Sequence, residues 1–333
     1  MTAANPPANE VRSLSAIRDG LGREAWVVGL GGLVVLLLIF TKIIQPNYGA
    51  TGIQNLGLSV LPLALAAVAQ TIVVISGGID LSIASVMALT NVVAATQMVG
   101  RSDEVGVGVA VGVLLLGLLI GATNGILIVW TRVADIILTL AMSFVWAGFA
   151  LWILQAPLRS PHAWLTALVT GSIGSEWIPR AFIALAVIVG LVWIPLRRSR
   201  AGLALYATGS NQLAAFRSGV SVGRTKVLAY ALSGLFAAMG GLALTAITGQ
   251  GAPLPGGYTL ASIAAVVLGG VSLAGGRGGV VGPILAVIVL SLIQTDMTFL
   301  NLNSNLATVT QGVILIGVVM LGSLAQLRRR TRA

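Results

Sequence analysis

RRSRAGLALYATGSNQLAAFRSGVSVGRTK, Arg197 to Lys226, is a basic, polar break between two long apolar blocks. It holds six of the chain's nineteen Lys and Arg residues and no acid. Nearly everything on either side is compatible with lipid. Only 8% of the 333 residues are charged, against about 25% in a soluble domain. Low charge in long apolar runs specifies a polytopic helical membrane protein, since each helix needs roughly 20 apolar residues to cross a bilayer. The short alternating segments of a barrel are absent. The 42 glycines fit helices packed in lipid, where small residues let backbones approach. The net charge of +10 reads as loop cations that set topology, not as a nucleic-acid surface. Without cysteine, the chain has no disulfide, no thiolate metal site and no cysteine nucleophile.

Outward from the break, the fold class is all-α, with about ten transmembrane helices, some broken or half-crossing. The spans are 26–44, 55–76, 80–99, 105–130, 136–154, 180–196, 226–247, 259–273, 279–296 and 306–325. They form one transmembrane domain, 26–325, with a polar loop at 197–225. Residues 1–25 form a flexible cytoplasmic tail and 326–333 a basic one. The first span is retained, because a long polar region precedes it and no small-x-small cleavage site follows. Only SGGID separates the second and third spans, and the short eighth ends near GGRGG. Such glycine interruptions mark either broken helices near a transport pathway or tight turns between packed helices.

Charge distribution gives the orientation. With the N-terminus in the cytoplasm, fifteen of the Lys and Arg residues fall inside and four outside, the four being Lys42, Arg101, Arg159 and Arg180. That bias puts both termini and the Arg-rich break in the cytoplasm. Within the break, Ser210 or Asn211 is an N-cap, its side-chain oxygen accepting from a first-turn N–H. Gln212 to Ser218 make about two helical turns, and Gly219 supplies the left-handed residue that ends them. Leu213, Ala214, Phe216 and Arg217 then offer an apolar surface with one cation, for a partner protein or for membrane lipid headgroups. No GxxxxGK[ST] motif occurs, so the chain has no nucleotide-binding loop of its own.

Four segments resemble, in order, the permeases of bacterial ATP-binding cassette (ABC) importers for ribose and other simple sugars. They are QTIVVISGGIDLSIASVMALT (Gln70–Thr90), GATNGILIVWTRVADIILTLAMS (Gly121–Ser143), YATGSNQLAAFRSGVSVGRTK (Tyr206–Lys226) and IAAVVLGGVSLAGGRGGVVGPILA (Ile263–Ala286). The resemblance runs from about Pro46 to the C-terminal arginines. It makes Gly77, Gly78, Asp80, Ser82, Gly275, Gly276, Arg277 and Gly278 family-pattern residues. It also makes Ser210, Asn211, Leu213, Ala214, Phe216, Arg217 and Gly219 a coupling segment for a separate ATPase. The chain departs from the pattern at Ala134-Asp135, at Ala147, and in GAPLPGGYTL, Gly251–Leu260.

The resemblance implies an importer in a bacterial inner membrane, moving a monosaccharide by alternating access. Its partners are an ABC ATPase subunit carrying ATP and Mg, a periplasmic or extracellular sugar-binding protein, and a second permease copy, identical or not. The chain itself binds no cofactor or metal, catalyses nothing, and takes no nucleic acid. Related permeases move branched-chain amino acids or nucleosides. An ion-coupled secondary transporter is the reading from another class, opposed by the scarcity of charges within spans. Gln70, Asn91, Asn124, Ser143 and Gln294 either line a polyol path or bond helix to helix. Asp80, a costly carboxylate between apolar blocks, reads as the N-cap of the third span. Asp103, Glu104, Glu176 and Asp296 read as acids of the outer loops, and His162 as an outer-loop histidine beside two prolines with no metal role.

Overall fold

The computed structural model describes residues 8–254, 256–302, 309 and 312–313, with side chains from Trp26 onward. The described chain is helical, in the order α1 (Ala8–Ile44), α2 (Ala50–Ile75), α3 (Ile83–Met98), α4 (Asp103–Thr131), α5 (Asp135–Ile153), α6 (Ala163–Val169), α7 (Arg180–Arg198), α8 (Arg200–Ser210), α9 (Gln212–Arg217), α10 (Val222–Thr248), α11 (Tyr258–Leu268) and α12 (Val281–Phe299). Seven of these are long and apolar enough to cross a bilayer: α1, α2, α4, α5, α7, α10 and α12. The shorter apolar helices α3 and α11 have 16 and 11 residues. At about 1.5 Å per residue they rise roughly 24 and 16 Å, less than the ~30 Å hydrocarbon core. They fall at the expected third and eighth spans and are too short to cross that core as regular helix alone; in that sense they are half-crossing. The tenth expected span, 306–325, and the basic tail lie outside the described residues. The N-terminal segment departs from expectation: from Ala8 it continues as the first helix and is not an irregular tail.

Burial follows composition. Helix α2 is apolar on every side, and all residues from Val60 to Ile75 except Leu63 are buried. It is the central post, with α10, α3, α11, α12 and α7 packed around it. The closest helix pair is α4 against α10. Gly117, Gly121 and Gly125 recur every fourth residue on α4 and face Tyr230, Gly234 and Ala238 on α10. A Cβ on Gly121 would overlap the Tyr230 carbonyl, and one on Gly125 would come within 2.8 Å of the Val227 Cα. The helices therefore touch backbone to backbone, which is how helices gain packing energy in lipid. Helices α1 and α5 instead turn apolar residues outward, among them Val28, Leu36 and Ile43, then Ile137, Phe144 and Trp152. An apolar exterior of that extent is a lipid or protein-contact surface.

The loops gather at two ends. At one end β1 (Leu158–Arg159) pairs antiparallel with β4 (Gln250–Gly251), and β2 (Ser172–Ile173) with β3 (Ser175–Pro179). Short α6 is tied to this end by Thr166, whose hydroxyl donates to the Ala246 carbonyl at 2.9 Å. The other end holds the α2–α3 break, the α11–α12 break and the helices α8 and α9.

Candidate functional site

The Arg197–Lys226 break folds into two short helices. Ser199 caps α8, its hydroxyl accepting from the Gly202 N–H at 3.1 Å. Gly202, Leu205 and Thr208 form its buried stripe. Asn211 caps α9, its Oδ1 accepting from the Ala214 N–H at 3.0 Å. Ser210 is not the cap; it closes α8, where its hydroxyl donates to the Tyr206 carbonyl. Helix α9 ends in a Schellman motif: the Val220 N–H reaches the Ala215 carbonyl and the Gly219 N–H the Phe216 carbonyl, both at 3.0 Å. Gly219 has φ +83°, which a glycine adopts without strain.

Ala215 alone turns inward. Leu213 is 59% and Phe216 68% exposed, and Ala214 and Arg217 are exposed beside them. Leu203 on α8 and Leu273 in the α11–α12 loop add apolar surface. Arg197, Arg198, Arg200 and Arg224 are also exposed. The end of the molecule is therefore a basic face with a raised aromatic and leucine ridge. Sequence reading found α9 but missed α8; the i, i+3, i+6 stripe after a Ser-x-x-Gly start was its signal.

The family-pattern residues lie directly above this face, in the two helix breaks. Gly77, Gly275, Gly276 and Gly278 all have positive φ. A Cβ on Gly78 would come within about 2.6 Å of the Asp135 carboxylate and Tyr230 hydroxyl, so this glycine seats a polar cluster. In that cluster Lys226 Nζ lies 3.2 Å from Asp135 Oδ1, and the Tyr230 hydroxyl donates to Asp135 Oδ2 at 3.0 Å. Asp135, one of the departures from the family pattern, thus has a defined partner set. Arg277 is exposed at the tip of the second break.

Asp80 is buried, but it is not the N-cap of α3; Ser82 holds that position. Asp80 lies two residues upstream, and its Oδ1 accepts from the Ser82 N–H at 2.9 Å and the Ser82 hydroxyl at 2.6 Å. Its Oδ2 accepts from the Ser233 hydroxyl on α10 at 2.9 Å. Asn124 on α4 donates to Ser82 Oγ and accepts from Trp146 Nε1 on α5. One chain of hydrogen bonds therefore joins α10, the break, α4 and α5.

The five polar span positions do not lie together. Asn91 is buried between α3 and α10, donating to Thr245 Oγ1 and the Gln250 carbonyl and accepting from the Ala252 N–H. Asn124 is buried as described. Gln70 is fully buried with neither amide atom hydrogen-bonded. Ser143 is half-buried and donates to the Leu140 carbonyl, while Gln294 is exposed. At the opposite end Asp103, Glu104 and Glu176 are exposed. Asp296 is not among them. It is buried between α12 and α1, where it accepts from the Thr41 hydroxyl at 2.6 Å. His162 is also buried, with Nε2 2.9 Å from the Met98 carbonyl.

Residues 52–322 match the family model described as branched-chain amino acid transport system / permease component. The ribose import permease protein RbsC of Escherichia coli K12 is 31% identical over 91% of this chain and 96% of its own. The RbsC of Bacillus subtilis 168 is 33% identical over 87% and 90%. The xylose transport system permease protein XylH of Escherichia coli K12 is 27% identical over 90% and 92%. No solved structure matches.

Proposed function

The chain belongs to the family of branched-chain amino acid transport system permease components, and from that membership we propose that it is the membrane subunit of an ABC importer for a simple sugar. The observation that carries the sugar is likeness over nine-tenths of both chains to permeases named for ribose and xylose. The family model's own description keeps branched-chain amino acids as the second reading. With no phosphate-binding loop in the sequence, ATP and Mg belong to a separate ATPase subunit. A binding protein outside the membrane delivers the sugar, and a second permease copy completes the complex. The site is a bacterial inner membrane. The positive-inside bias sets the basic end and both termini in the cytoplasm.

Helix α9 is the coupling helix in this reading. It is capped at both ends and presents Phe216 and Leu213 outward, as a rigid plug for a groove on the ATPase needs. Closure of the ATPases on ATP drives alternating access through it.

The test is co-purification of the ATPase with the tagged chain from membranes, followed by sugar-stimulated hydrolysis with ribose and with leucine. Removing a buried aromatic anchor costs about 2 kcal/mol, roughly 30-fold in affinity. Phe216→Ala will therefore insert normally but hold the ATPase weakly, and Gly219→Pro more weakly still. ATPase retained at parental stoichiometry, with undiminished stimulated hydrolysis, would remove the support for this assignment. Stimulation by leucine and not by ribose would favour the second reading.

A further inference from the structure

Three segments distant in sequence meet backbone to backbone just above the basic face: the end of α8 at Gly209, the end of α2 at Ile75–Gly77, and the α11–α12 break at Gly275–Gly276. A Cβ on Gly209 would overlap the Ile75 carbonyl and lie 2.6 Å from the Gly276 nitrogen. One on Gly275 would lie 2.7 Å from the Gly209 oxygen and 2.9 Å from the Gly77 Cα. The Gly276 N–H donates to the Ile75 carbonyl at 2.9 Å. The Tyr206 hydroxyl on α8 donates to the Gly278 carbonyl at 2.8 Å.

A contact of this kind has no side chain to rotate. A shift of even half an ångström along it breaks a hydrogen bond or forces an overlap, and close-packed interfaces yield in discrete steps. The contact also has a particular address. Gly209 is two residues before Asn211, the cap of α9. Gly77 leads through Asp80 and Ser82 into α3, and Gly275 and Gly276 follow the end of α11. The two half-crossing helices are pinned to each other by Thr259, whose hydroxyl accepts from the Ala84 N–H at 3.1 Å.

We propose that Gly209, Gly77, Gly275 and Gly276 form a backbone joint that delivers the displacement of α9 to both half-crossing helices at once. These glycines are positioning residues for transport, not docking residues. The proposal rests on α9 being the coupling helix, and it adds where the motion goes next.

The parent chain has no cysteine, so a single reporter is unambiguous. Ala261→Cys on half-buried α11 serves, in the intact complex with its ATPase, alkylated by N-ethylmaleimide with and without ATP and vanadate. Nucleotide is expected to change the alkylation rate about three-fold or more in the reporter parent, as a population shift between two packings. Adding Gly209→Ala should abolish that change while the ATPase still co-purifies. Tyr206→Phe adds no bulk and removes one hydrogen bond of the joint; it should reduce the change by about half. A nucleotide response of parental size in both variants overturns the proposal. So does loss of the ATPase from either, since the glycines would then act in docking, and so does a reporter blind to nucleotide in the parent. If Gly209→Ala does not reach the membrane, Tyr206→Phe decides alone. Failure of the parental chain to retain any ATPase would instead sink the importer reading.

Discussion

Replacing Asp135 by leucine strands the Lys226 ammonium at a mostly covered position between α5 and α10. The two side chains are only 13% and 14% exposed, with the charges 3.2 Å apart. At an effective dielectric constant of about 20 their attraction is roughly 5 kcal/mol before desolvation is deducted. Desolvation removes much of that, so the pair itself contributes little over an apolar replacement. Losing one member is different, because the survivor keeps its desolvation cost without its partner, here about 2–3 kcal/mol. Asp135→Leu and Lys226→Met should each lower the thermal unfolding midpoint of the detergent-solubilised chain, by several degrees for that loss. Asp135→Leu should be the worse, since it also takes the acceptor of the Tyr230 hydroxyl. The double variant should recover to within about 1 kcal/mol of the parent, because both charges have gone. The assay is a double-mutant cycle on midpoints followed by circular dichroism. Losses that simply add, leaving the double variant below either single one, would refute the reasoning and reduce the pair to a surface contact.

Asp80→Asn should keep most of the protein in the membrane, since an amide oxygen still accepts from the Ser82 N–H and Ser233 can reverse its hydroxyl. Asp80→Leu takes the acceptor from the Ser82 N–H and from both hydroxyl donors, and membrane levels on immunoblots should fall severalfold; equal levels for the two would show that the network bears no weight. Cysteine at exposed Ser218 should react with an impermeant maleimide only from the cytoplasmic side, and cysteine at exposed Ser175 only from outside; the opposite pattern at either would invert the topology.

The fold was legible where the physics is local or repetitive. Nine of the expected spans coincide with described helices, because twenty apolar residues in lipid leave the backbone few alternatives. The Asn211 cap and the Gly219 stop were legible for the same reason: each rests on bonds spanning no more than five residues. Asp296 was misread as a loop acid because its partner, Thr41, is 255 positions away and no local pattern announces it. Asp80 was read as the N-cap of the third span, but it lies two residues before the Ser82 cap, and its contact with Ser233, 153 positions away, has no local signal. The family-pattern glycines were visible only by resemblance. The convergence of three backbones that Gly77, Gly275 and Gly276 permit exists only in three dimensions. Gln70 is one of several residues, with Ser160, Trp164 and Thr208, whose buried side-chain polar atoms have no hydrogen-bond partner among the described residues.

A broken helix in a bilayer leaves N–H and C=O groups that lipid cannot satisfy, so the break survives only where protein satisfies them. At the α2–α3 break the Ser76, Gly77 and Gly78 N–H groups turn back to carbonyls of α2, and other groups are satisfied by neighbouring helices. Thr139 of α5 accepts from the Leu81 N–H at 3.0 Å and lies 3.2 Å from the Ile79 carbonyl. Thr259 of α11 accepts from the Ala84 N–H, and Ser233 of α10 binds the Asp80 that holds Ser82. The break therefore cannot shift alone: moving α3 by a fraction of a hydrogen-bond length strains α5, α10 and α11 together. The polar residues that make a half-crossing helix tolerable in lipid are thus the ones that bind its position to three neighbours. Of these neighbours α5 keeps most of its surface uncovered, with only Thr139 and Ala150 buried.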